Sequence, residues 1–432
     1  MKHTLKALLP LAGLAAFAGT TPPAVTYHKD VEPIFQARCQ ECHRPGEIAP
    51  FSMLSYNDIR PWAKAIKSDV LTKKMPPWFA DPHYGHFSND RTLTKAEIET
   101  ISSWVDGGAK EGDLKDAPKP REYVKGWNIP TPDVVLTPSQ PFHIGAKEEV
   151  PYQYLVMPTE FTEDKWIQMA EARPSDRTVV HHVVVFIRSP ESKWLRQAQP
   201  GVPYVPPGPS NFNNISGGGN EVLMIYTPGM IPEVWRPGLG KLIKAGSDLV
   251  LQIHYTPSGK DTQDQTSVGL VFAKEKPTER ALTSAAGNMT FRIPPGDPHY
   301  EVKAESAFPN GATILSFFPH MHVRGKSFEY KLSLPDGSSE TLLSVPKYDF
   351  YWQLDYRLPE PLKLPPGAKI ECTAVFDNSP NNPTNPDPTK EVRFGEQSWE
   401  EMMFGFYDVI VPVNWTMRDL YTPQKPLPSK SE

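Results

Sequence analysis

Proline places the tightest limit on what this chain can fold into. It fills 49 of 432 positions, roughly twice its average usage. Each proline fixes its own φ and removes an N–H, so it disrupts helix interiors and central strands alike. Long helices are disfavoured, and the pattern predicts short strands joined by many turns and extended loops. The length predicts two or three domains, and 39% hydrophobic and 22% charged residues suit a soluble globular protein. A formal net charge of −5 gives no reason to expect nucleic acid or an anionic membrane as a partner.

The first residues read MKHTLKALLPLAGLAAFAGTTPP. Lys2, His3 and Lys6 precede an apolar run over residues 7–18, and Ala16-Phe17-Ala18 offers a cleavage site of small residues. Residues 1–18 are expected to be a secretory signal peptide, because the apolar run is too short to cross a bilayer. No later segment is apolar for long enough to do so, which predicts a periplasmic or secreted protein without a membrane span.

Two of the three cysteines lie in Cys39-Gln40-Glu41-Cys42-His43. C-x-x-C-H is the attachment pattern of a c-type haem: both thiols form thioethers and the histidine ligates the iron. Met75, in Lys74-Met75-Pro76-Pro77-Trp78, is the preferred sixth ligand, since the prolines hold its loop rigid. Met53, His83 and His86 are the alternatives. Helical spacing of apolar residues appears over 30–37 and 59–73, and Thr94 with Glu97 forms a capping box for a helix that Gly107-Gly108 stops. Over residues 26–113 the chain resembles small bacterial cytochromes c, with the MPPW turn as the corroborating feature. Residues 114–132, rich in proline and charge, are expected to be a linker.

From residue 133 the pattern changes. β-branched runs at 179–187, 248–255, 313–318, 328–334 and 370–376 alternate with Pro/Gly turns. The expected fold class is multidomain: a small all-α domain followed by two all-β sandwiches over 133–285 and 286–425. Residues 211–219 and 378–388 are expected to be mobile loops. Cys372 alternates with strand residues and is expected to be buried packing, so this region must rely on its core rather than on disulfides.

The β region carries a set of histidines. His320 and His322 stand on or at the end of a strand, where residues i and i+2 share a face and can converge on one ion. Adjacent His181 and His182 would point to opposite faces, so both can bind one metal only if the strand is bulged or ends there. An isolated histidine is more often a surface or satisfied core residue. His181, His182 and His254 sit in apolar strands, however, where an unpartnered imidazole is costly. Three histidines suit zinc as well as copper, whereas a methionine ligand favours copper(I).

Four stretches resemble the copper type II ascorbate-dependent monooxygenases, which include the peptidylglycine alpha-hydroxylating and dopamine beta-hydroxylating enzymes. They are VVHHVVVF around His181-His182, LVLQIHY ending at His254-Tyr255, FPHMHVRGK around His320 and His322, and SWEEMMFGFY around Met402. They occur in the family's order across residues 140–412, a fairly specific match. The resemblance implies two jelly-roll sandwiches with one copper each. His181, His182 and His254 would hold an electron-transfer copper. His320, His322 and Met402 would hold the catalytic copper that binds dioxygen, with Met403 the weaker candidate. Where the peptide-amidating branch has an arginine that grips the substrate carboxylate, two residues before the His-x-His pair, this chain has Phe318. Phe404 and Phe406 likewise replace polar residues, which predicts a neutral, apolar or aromatic small-molecule substrate. One haem and two coppers, with an external electron donor, would make the chain an oxidoreductase. A non-catalytic electron relay or copper binder, and a substrate-binding module with remnant sites, are the competing readings.

Overall fold

The computed structural model describes residues 24–207 and 220–424. The expected signal peptide, the loop at 211–219 and position 425 lie outside the described residues. The architecture is mostly β-sheet, sandwich-like, with a few short helices at the N-terminal end and one more at Met417–Tyr421.

The helical part grows from the capping box. Thr94 Oγ1 accepts from Glu97 N at 3.2 Å, and the Glu97 carboxylate accepts from Thr94 N at 2.7 Å, so two otherwise unpaired N–H groups are satisfied where Lys95–Asp106 begins. The helix stops at Gly107, and Gly108 takes φ +92°, which a side chain would oppose. Ile101 and Trp104 of this helix pack against Phe35 of Glu32–Arg38, Ile59 of Tyr56–Ile59 and Val70 of Ala63–Leu71, with Tyr27 closing the cluster. The segment after this unit is held at both ends. Tyr123 donates to Gln40 Oε1 at 2.8 Å, and Asn128 N donates to Glu171 Oε2 at 2.6 Å.

One nine-stranded sheet runs through the rest of the molecule. Its first half holds Val134–Leu136, Ser267–Phe272, Lys165–Arg173 and Leu239–Ile243, with the short Glu233–Val234 paired to Lys165–Arg173. Its second half holds Glu279–Asn288, Met403–Pro412, Ala312–His320 and Tyr356–Leu364. The halves join through a short parallel pairing, Glu279 with Leu239 and Arg280 with Gly240. A four-stranded sheet of Gln153–Pro158, Asp248–Tyr255, Val180–Arg188 and Glu221–Tyr226 backs the first half, enclosing a core that includes Leu155, Val183, Leu251 and Leu270. Tyr300–Phe308, Ala368–Phe376, Gly325–Ser333 and Ser339–Val345 back the second half around Phe317, Tyr330, Ile370 and Val409. Cys372 is buried in that second core.

Two expectations change. Position 285, taken as the end of the first β unit, lies inside Glu279–Asn288, which pairs along its whole length with Met403–Pro412. The segment 378–388 is not a loose loop. Asn378 is fully buried, donates to Pro294 O and Lys390 O at 2.8 and 2.9 Å, and accepts from Arg324 Nε at 3.0 Å. Its polar residues satisfy one another instead of water, which composition alone does not reveal.

Candidate metal centres

His181 and His182 share a face of the site because the strand is irregular between them. Val180 pairs with Tyr255 and His182 with His254, and the register shifts in between, so His181 is the extra residue of a bulge. The three imidazoles converge, and one ligand atom from each lies within 4.8 Å of the other two. His181 Nδ1 and His182 Nδ1 are 3.1 Å apart. Two nitrogens bound to one tetrahedral ion at about 2.0–2.1 Å would lie roughly 3.3 Å apart.

Hydrogen bonds decide which nitrogens are free. His181 Nε2 donates to Phe350 O at 3.0 Å, leaving Nδ1 with its lone pair. His254 Nε2 pairs with Ser398 Oγ at 3.1 Å, and its Nδ1 is buried without a partner. His181 and His254 therefore present Nδ1, and His182 Nδ1 lies beside that of His181. The second pair presents the opposite nitrogen. His320 Nδ1 donates to Gln353 Oε1 at 2.8 Å, and His322 Nδ1 to Glu400 O at 3.3 Å. His322 Nε2 is buried and unpartnered. Such orphaned nitrogens are costly in a protein interior, and an ion would relieve them.

His320 ends the strand Ala312–His320, and Met321 between the two histidines enters the core. His322 is held by Glu401, whose buried carboxylate accepts from His322 N at 2.9 Å and from Arg324 N at 2.7 Å. Burial pushes this carboxyl up to about 8, opposed by those N–H groups and the Arg324 guanidinium. His320 pairs with Phe404 and Phe318 with Phe406, so these side chains share one face. Met402 is buried and stands one residue before the strand Met403–Pro412, whereas Met403 belongs to the second core.

All five histidines are buried, and the two sets touch: the ring centroids of His182 and His320 are 5.9 Å apart. Tyr152 lies against both sets, with its ring 4.7 Å from His254, 5.4 Å from His182 and 6.4 Å from His322. Burial holds His181 and His320 at about 4 and the other three well below the ordinary histidine range, with neighbouring imidazoles adding to the effect at every one but His320. Uncharged imidazole is the form that binds a metal. Phe318 and Phe406 line a cavity of about 30 Å³, room for about one water, whose wall also includes Lys241 and Asp408.

Cys39 and Cys42 are unpaired, and burial pushes the Cys39 thiol up to about 12. His43 Nδ1 donates to Phe51 O at 3.2 Å, which leaves the lone pair on Nε2. Met75 lines a cavity of about 370 Å³ with Val70, Trp78, Leu93, Ile98 and His86, while His43 lies outside that lining. Of the alternative ligands, Met53 is buried in the helical core and His83 is exposed.

Sequence reasoning missed Tyr152, Phe350, Gln353 and Ser398, which touch the histidines. Phe350 and Gln353 lie in Tyr348-Asp349-Phe350-Tyr351-Trp352-Gln353, where the density of aromatic residues was the available signal. No family model matches the sequence, and no curated protein matches it. Among solved structures, PNGF-II is similar at 10% identity and a TM-score of 0.27, and the chain spans 65% of its own length and 65% of that protein's. The VP2 subviral particle of infectious bursal disease virus matches at 9% identity and a TM-score of 0.18 over 68% of this chain and 76% of that one. A putative alpha-L-fucosidase from Bacteroides ovatus matches at 10% and 0.19, over 73% and 43%.

Proposed function

We propose that this chain is an exported haem- and copper-dependent monooxygenase, periplasmic or secreted, built from a cytochrome c domain and two jelly-roll sandwiches. The observation that carries the reading is the donor set: three converging buried imidazoles, with Nδ1 left to His181 and to His254, and a buried pair that offers Nε2, which Met402 would complete. That set suits two coppers, and the two free thiols beside His43 suit one covalent haem. When bound, the haem and the triad copper would supply electrons and the second copper would supply dioxygen activation. The overall reaction would consume dioxygen, one substrate C–H bond, two electrons and two protons, and give an alcohol and water. An external donor would refill the haem.

The chain's own residues have separate tasks in this reading. Phe350 and Ser398 fix the triad's tautomers, Gln353 and Glu400 fix those of the pair, and Glu401 holds the backbone of His322. Phe318, Phe404 and Phe406 present an apolar wall near His320, and the ring centroids of Phe406 and His320 are 6.3 Å apart. Such a wall favours a neutral substrate, at about 25 cal/mol per Å² of apolar area buried.

Metal analysis of protein expressed with export, combined with a haem-stained denaturing gel, tests the cofactors. Two coppers and one haem that survives denaturation are expected, and stoichiometric zinc or haem lost from the wild type would overturn the assignment. Oxygen uptake matched by hydroxylated product then tests the chemistry. The contact between His182 and His320 favours a second reading, an electron relay without oxygenation, because it closes the space between the two sets. Reversible copper reduction without product under any substrate would select that reading.

A further inference from the structure

A turn of the first sandwich sits against the haem-attachment motif. Thr227-Pro228-Gly229-Met230 is closed by Met230 N donating to Thr227 O at 3.0 Å, and Gly229 takes φ +82° after the proline. A Cβ added at Gly229 would meet Cys42 Sγ at 3.7 Å and the Arg91 guanidinium at 2.8 Å. Arg91 also donates to Gly229 O. A second link lies close by, Arg177 Nη1 to Glu47 Oε2 at 2.7 Å, so the turn is seated on the helical unit. From the turn, Thr227 Oγ1 donates to Gln353 O at 2.5 Å, and Gln353 Oε1 accepts from His320 Nδ1 at 2.8 Å. Thr227 and Gln353 are both buried, at 1% and 2% exposure, so water does not interrupt the connection.

We infer that Thr227 and Gln353 form the electron relay from the haem to the metal held at His320. The inference rests on the proposed haem and copper assignments. With both groups bound, one electron would pass from the haem, iron(II) going to iron(III), across the Gly229 turn and the two hydrogen bonds to the ion at His320, copper(II) going to copper(I). No proton or bond moves with it. Two other arms reach the triad. One runs back along the loop backbone from Gln353 to Phe350 O and His181 Nε2. The other crosses from Tyr226 to Val183, next to His182. The arm to His320 crosses two hydrogen bonds and the side chains of Thr227 and Gln353. Electron entry at the second site distinguishes this chain from the arrangement that the family resemblance implies, in which the triad copper is the electron-transfer centre. Both residues act through others and are positioning residues.

The test uses the full chain carrying haem and copper. The protein is mixed rapidly with a one-electron reductant under anaerobic conditions, without substrate, and haem reoxidation is followed by its absorbance. Rapid-freeze electron paramagnetic resonance reads which copper(II) signal disappears first. His181→Ala, which leaves only the second site, assigns that signal. In the wild type the signal of the second site should vanish in step with haem reoxidation. Thr227→Val, which keeps the shape and removes the donor, should slow that phase about tenfold, equivalent to about 1.4 kcal/mol of barrier. Thr227→Ser should restore it. Gln353→Met should slow it likewise and also change the copper hyperfine splitting, while Gln353→Glu, which keeps an acceptor for His320 Nδ1, should largely restore the rate. An unchanged rate in Thr227→Val with both metals retained overturns the relay, as does earlier loss of the triad signal. A wild type lacking haem or copper overturns the assignments beneath it, an outcome read from metal content before any kinetics.

Discussion

His181 turns on a single inserted residue. Without the bulge, a side chain next to His182 would project to the other face of the sheet, and the triad would shrink to His182 and His254. At Met402 and Met403, too, one step along the chain separates a candidate ligand from a core residue. Met402→Ile is expected to weaken copper(I) binding at the second site and abolish hydroxylation, with the fold intact. Met403→Ala should leave metal content unchanged and instead cost about 2–5 kcal/mol of stability, as truncation of a buried methionine does. Copper titration and urea unfolding of both variants check the assignment, and the reverse pattern would exchange their roles. Phe318, Phe404 and Phe406 carry the expectation about substrate. They offer nothing to offset the dehydration of a carboxylate, a cost of several kcal/mol. Lys241 lines the adjoining cavity, but it already donates to Val222 O at 2.9 Å and Thr283 Oγ1 at 2.6 Å. Oxygen uptake should therefore saturate with small neutral aromatic or apolar compounds, and efficient turnover of a glycine-extended peptide would refute this.

At the scale of elements, three pieces of chain deliver the five histidines, and each delivers them uncharged. The metal-free protein therefore carries a pH liability of definite sign. An unfolded histidine takes a proton near 6.5, whereas His181 and His320 resist until about 4 in the fold. Between those values the unfolded state binds more protons, so stability falls as pH drops through that window, by about 1.4 kcal/mol per histidine per pH unit. Urea midpoints of the metal-free protein measured from pH 7 to pH 4 should decline steeply, and His320→Gln should flatten the decline; a flat wild-type profile would contradict it. Much of this was legible in the sequence. The capping box at Thr94 and Glu97, the strand Asp248–Tyr255 and the demand for a bulge beside His182 all follow from local rules. What was not legible depends on distant residues meeting. Phe350 lies 169 positions from the His181 nitrogen it orients, and Ser398 lies 144 from His254. No periodicity or spacing encodes such contacts, and the shared sheet is hidden for the same reason, since two residue pairs make the join.

The whole molecule divides the site between its two sandwiches. The triad rises from the sheet that contains Val180–Arg188 and Asp248–Tyr255, yet Phe350 and Ser398, which orient it, belong to the second sandwich. Ile410 of the second half also enters the first core, so the two units share apolar packing as well as a sheet. A metal bound at either site would thus stabilise contacts across the junction, not only the strands that supply its ligands. Binding to the folded state alone adds about 2.7 kcal/mol for each site at a free concentration one hundred times its dissociation constant. Two sites together should raise the melting temperature by roughly 10–20 °C for units of this size. The distribution of that gain is the sharper test. If the sandwiches were independent, filling the second site alone, in His182→Ala protein, would raise one calorimetric transition and leave the other in place. Because His254 and His181 are anchored on second-sandwich groups, both β transitions should instead move together and merge on copper loading. Separate transitions that shift one at a time would show that the contacts from Phe350 and Ser398 do not couple the halves.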